Sequence, residues 1–192
     1  MDANVRRKLE AVLGRLCGQC DGLLLTQAVK LPYLVDVVAQ RVLGKQIIGA
    51  TYEAWNLGVV TKEAWIMLKH EPPPFLAVTV HAYSETGLMI QLSGSAPNLS
   101  SQQEVEVVDA VAQTYGRASA SVLGDLTKRM NPQISKWGSN ERAATDYEAY
   151  QHLSDGWGRL ALFGLTDADL DNRSNWGPEI DDPAEYVRRA LS

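Results

Sequence analysis

The sequence predicts a mainly helical (α+β) fold: a compact helical domain carrying one small antiparallel β-hairpin. Three observations lead there. In most segments apolar residues recur at spacings of three and four, which places them on one face of a helix. These segments tend to open on Ser or Thr, whose side-chain oxygens accept from free N–H groups, and to close on Gly. One passage, from Phe75 to Leu92, is instead rich in β-formers and is split by a polar, Gly-containing turn. With 192 residues, 45% hydrophobic and 21% charged, the chain is long enough for one substantial core, or one domain with an appendage.

Residues 2 to 20 read as an amphipathic helix. Leu9, Val12, Leu13, Leu16, Cys17 and Cys20 share one face, while Arg6, Arg7, Lys8 and Arg15 lie elsewhere. Thr26 has the form of an N-cap for a second helix, with Leu31, Leu34, Val35, Val38 and Val42 on its inner face and Gly44 as its stop. Pro32 lies six residues after that cap and predicts a kink or a late helix start. A connection follows, Tyr52-Glu-Ala-Trp55-Asn-Leu-Gly58-Val-Val60, the densest aromatic and apolar passage between helix signals. It reads as a loop whose Trp55 packs on something and whose Gly58 permits a tight turn. Thr61 then caps a third helix with Ala64, Trp65 and Leu68 inside, and Pro72-Pro73-Pro74 ends it as a stiff spacer.

After the hairpin, Ser93 to Ser100 is a Gly/Ser/Pro/Asn loop. Ser101-Gln-Gln-Glu104 has capping-box form and opens a helix striped by Val108, Val111, Ala112 and Tyr115, which Gly116 ends. Ser119 caps a short helix with Val122, Leu123 and Leu126 inside. Thr127 to Lys136 is polar, is broken by Asn131-Pro132 and closes on Trp137. Further helices are expected from about Glu141 to His152 and from Pro183 to Leu191. The organisation expected is therefore a helical domain over 1–152, followed by an acidic, loop-rich extension over 153–192.

Charge supports that division. Asp146 to Ser192 holds ten acidic and four basic residues, which leaves the last quarter at −6 and residues 1 to 145 at +1. Such asymmetry marks either a segment for a basic partner or a solvated surface. The net charge of −5 argues against non-specific binding to nucleic acid phosphates. No apolar run approaches the roughly 20 residues that span a bilayer, and the N-terminus lacks the pattern of a secretion signal. A cytoplasmic protein is the expectation.

Catalytic motifs find little footing. There is no G-x-S-x-G and no phosphate-cradling P-loop. Gly156-Trp157-Gly158-Arg-Leu-Ala161 superficially matches a dinucleotide fingerprint, but no strand precedes it and no βαβ unit surrounds it. Asp167-Ala-Asp169-Leu-Asp171 begins like a calcium loop, yet Asn172 replaces its glycine and Pro178 its bidentate glutamate. Cys17-Gly-Gln-Cys20 has the spacing of half a zinc site or a redox pair. The chain has no other cysteine, its three histidines are scattered, and the pair ends an apolar helical stripe, so core thiols are expected. No metal, no cofactor and no catalytic residue is expected.

Lys30-Leu31-x-x-Leu34 followed by Tyr52-Glu-x-Trp55-x-x-Gly58-x-Val60 resembles the Panacea, or SocA-like, antitoxin domain. That family opens with a Lys-Leu-x-Lys-Leu-Leu-Tyr helix and continues into a Trp-x-x-Gly-Pro-Val turn. Its second half, a helix ending in Tyr-Gly, then Leu-Ser-x-x-Thr-His and a Trp, corresponds to Val108 to Tyr115-Gly116, Leu123-Gly-Asp-Leu126-Thr127-Lys128 and Trp137. Order and spacing hold from residue 26 to 137. Tyr33 stands where the second Lys would be, Asp36 for the Tyr, Val59 for the Pro and Lys128 for the His.

The resemblance implies a predominantly helical antitoxin of a bacterial, phage or prophage system. Such a protein neutralises a co-encoded toxin by direct binding or by delivering it to a protease. Its candidate partner-binding residues are Trp55, Asn56, Gly58, Thr127, Lys128 and Trp137, joined by the aromatic anchors Trp157 and Trp176 of the acidic segment. The partner expected is a protein toxin, with no membrane. A transcriptional regulator, a phage accessory interaction protein and an enzyme assembled from scattered residues stay open, although no helix-turn-helix with a basic recognition helix is evident.

Overall fold

A computed structural model describes residues 1–55, 58–80 and 87–129, together with 182, 184–185 and 188–189. The elements in chain order are α1 (Ala3–Cys20), β1 (Leu23–Leu24), α2 (Leu25–Ala28), α3 (Leu31–Leu43), β2 (Tyr52–Trp55), β3 (Gly58–Thr61), α4 (Lys62–His70), β4 (Leu76–Val80), β5 (Leu88–Leu92), α5 (Gln102–Tyr115) and α6 (Ala120–Arg129). The fold is mostly helical with small antiparallel sheets, as the periodicities predict. Two compact units are present: Met1–Thr51 with Thr61–Ala120, and Tyr52–Val60 with Ser121–Ser192.

The first unit is built on α1, α3, α4 and α5. Asp2 caps α1 through Oδ1, which accepts from the N–H groups of Asn4 and Val5 at 2.8 and 3.1 Å. The expected inner face of α1 is in the core from Leu9 to Cys17, and Cys20 is half-buried at its end. α5 packs on both α1 and α3, with Val108, Val111, Ala112 and Tyr115 buried as expected. Arg15 of α1 forks onto Asp109 of α5, with Nε–Oδ1 and Nη2–Oδ2 distances of 2.7 and 2.6 Å. In α4, Ala64, Trp65 and Leu68 are buried.

Several expectations change. Thr26 is not an N-cap: it lies inside the short α2, and the longer helix starts late, at Leu31, with Pro32 in its first turn. That placement suits proline, whose missing N–H would have no intrahelical partner there. Gly44 ends α3 in the left-handed conformation, φ 70°, as expected. Val42, placed on the inner face by spacing, is 68% exposed, because spacing orients a side chain but only a neighbouring element can cover it. Thr61 occupies the cap position of α4 but makes no capping bond. Its side chain is fully buried, and the carbonyl of Thr51 serves the first helical N–H, that of Lys62, at 3.0 Å.

The predicted hairpin forms, with antiparallel register Leu76↔Leu92, Val78↔Ile90 and Val80↔Leu88. It gains a third strand that the sequence reading missed: β1 pairs with β5 through Leu23↔Ile90 and Leu24↔Met89, giving the order β1-β5-β4. Two residues are too short a run for any periodicity to register. The capping box at α5 forms in shifted fashion. Ser101 Oγ accepts from the N–H of Glu104 at 3.3 Å, while Glu104 Oε2 reaches back to the N–H of Ser100 at 2.9 Å. Gly116 ends α5 but keeps right-handed backbone, φ −63°. What demands glycine there is space, since a Cβ would collide with Cys20 Sγ and the Ala112 carbonyl. Gln27 ties down the turn beyond, donating to the carbonyls of Gly116 and Ala118 at 3.2 and 2.9 Å.

Cys17 is a core thiol, donating to the Ile90 carbonyl at 3.7 Å. Burial, with a smaller contribution from Cys20, pushes its pKa up to about 12, so it stays protonated and unreactive. No helix among the described residues is long and apolar enough to cross a membrane. The helix expected at 141–152 and the strand histidine His81 lie outside the described residues. Of the helix expected at 183–191, Ala184, Glu185, Arg188 and Arg189 are helical, and Asp182 Oδ1 accepts from the Glu185 N–H at 3.0 Å.

Candidate partner-binding site

The connection expected to be a loop between helices is a two-stranded sheet of β2 and β3. The β-formers Tyr52, Trp55, Val59, Val60 and Thr61 could have signalled it. They were masked by the aromatic and glycine content that reads as a loop. Tyr52 and Glu53 of β2 are buried, and all four residues of β3 are buried.

Gly58 opens β3 with φ at +100°, a region that side chains rarely adopt. A Cβ there would stand 2.5 Å from Thr127 Oγ1 and 2.6 Å from the Gly124 carbonyl oxygen. Two glycines facing each other thus bring strand β3 against helix α6. Thr127 completes the junction. Its hydroxyl lies 2.8 Å from the carbonyl of Leu123 and 3.2 Å from that of Gly124, and it accepts from the Val59 N–H at 3.1 Å. Bonding back to the carbonyl four residues earlier holds the hydroxyl inside α6, where one lone pair meets the strand. Thr127 is fully buried, so the strand N–H it receives has no water to fall back on.

Gly58 and Thr127, singled out separately from sequence, are therefore brought into contact. Gly124 and Val59, which complete the junction, were read only as motif positions, Val59 as a departure from the family's Pro, and not as candidate site residues. The Gly at Leu123-Gly124 stood in view as a helix-interior glycine, a residue that disfavours helix unless close packing needs it. Trp55 ends β2 and Lys128 lies in the last turn of α6. Asn56, Trp137, Trp157 and Trp176 lie outside the described residues.

In the first unit, two charged residues of the Lys30–Asp36 stretch are buried, Lys30 and Asp36 each at 1% exposure. Asp36 accepts three backbone N–H bonds, from Ile47 and Ile48 to Oδ1 at 2.9 and 2.8 Å and from Gly49 to Oδ2 at 2.8 Å. A carboxylate with that many charge-assisted bonds folds residues 47–49 back onto α3. No group of three or more potential metal ligands occurs among the described residues.

Residues 29–132, just over half of the chain, match the family model described as "Antitoxin SocA-like, Panacea domain". The chain belongs to the SocA-like Panacea antitoxin family. No curated protein and no solved structure gave a match. The Panacea segment starts one residue before Lys30 and runs past Thr127, so it takes in the junction of Gly58, Gly124 and Thr127 as well as the Asp36 clamp. Asp36, which departs from the family's Tyr, has a structural role here. At Val59, where the family has Pro, the N–H that a proline would lack is the one Thr127 receives.

Proposed function

We propose that this Panacea protein is a cytoplasmic antitoxin that neutralises a toxin encoded beside it by binding the toxin directly. The observation that carries this reading is the family match over residues 29–132. In this reading the strand pair β2–β3 presents the binding determinants around Trp55 and Asn56. Gly58 and Thr127 contribute by holding β3 against α6, and Lys128 follows in the helix. Trp137, Trp157 and Trp176 contribute aromatic anchors, since a few large aromatic side chains commonly supply most of an interface's affinity.

The test is genetic and then biochemical. Each reading frame flanking this one is expressed from an inducible promoter, with and without this chain. Growth arrest by one neighbour, rescue by this chain, and co-purification of the two at a fixed ratio are expected. An unchanged toxin level during rescue indicates masking, and a falling level indicates delivery to a protease. If neither neighbour inhibits growth, or if rescue occurs with no physical association, direct neutralisation is wrong.

A further inference from the structure

We draw no further inference here: the strongest candidate, the groove that Gly14, Arg15 and Gly18 of α1 form with Leu92, Pro97 and Asn98, has its lining arginine already forked onto Asp109, and nothing in the structure shows what covers it.

Discussion

Gly58, Thr127, Asp36 and Cys17 each hold their surroundings by a different physical means. At Gly58 the cause is conformational and steric together, so Gly58→Ala should cost about 2–4 kcal/mol, from the left-handed backbone and the collision with Thr127 and Gly124. At Thr127 it is a hydrogen bond. Thr127→Val keeps the shape but removes the hydroxyl that accepts from the Val59 N–H and should cost about 1–3 kcal/mol, whereas Thr127→Ser should lose much less of that bond. Asp36→Ala removes the acceptor of three N–H groups and should cost on the order of 3 kcal/mol or more. Urea denaturation midpoints, converted with a common slope, check all three. Cys17 makes a pH prediction. Its folded-state pKa lies above its ordinary value of 9.0, so its contribution is complete below pH 9.0 and is lost as pH rises towards about 12. Relative to Cys17→Ala, the wild type should therefore lose stability over that alkaline window. At about pH 8 a water-soluble thiol reagent should label half-buried Cys20 well before Cys17.

At the scale of elements, α4 is the clearest case of a helix held by one large side chain. Trp65 is fully buried, and Trp65→Ala should cost about 3–5 kcal/mol as a large-to-small core change. An unaltered thermal melt for that variant would mean that the α4 face is not a core face. The strands behave differently from the helices. β4 and β5 were legible because each supplies five residues on either side of a turn. β1 has two residues and owes its existence to β5. β2 and β3 have four each, and Val59, Val60 and Thr61 are all buried, which hides the alternation that marks a half-exposed strand.

For the whole molecule, the charge split of −6 against +1 bears on the proposed partner. Opposite charge mainly speeds encounter and disfavours wrong partners, while buried aromatic anchors set the lifetime of a complex. If the toxin surface is basic, removing residues 154–192 should leave a folded domain that binds the toxin more weakly and with a smaller salt dependence. Melting temperature and toxin affinity are measured together on the truncated chain. A lower melting temperature with unchanged affinity per folded molecule would show that the acidic segment completes the core instead of meeting the partner.

The sequence by itself determined the helical class, the inner faces of α1, α4 and α5, the β4–β5 hairpin and the family, because local periodicity and short motifs are carried by neighbouring residues. The chain breaks at Pro32, Gly44 and Gly116 were legible for the same reason, each being a property of one residue's backbone or of its missing Cβ. Only the tertiary structure decided that Thr26 lies within a helix, that Val42 faces solvent and that Thr61 makes no capping bond. It also decided that Asp36 clamps residues 47–49 and that Gly58 meets Gly124 and Thr127. Those outcomes depend on which distant group arrives to cover, to donate or to accept. Gly58 and Thr127 are 69 positions apart in sequence, and no local pattern states that one lacks a Cβ so that the other can reach the strand.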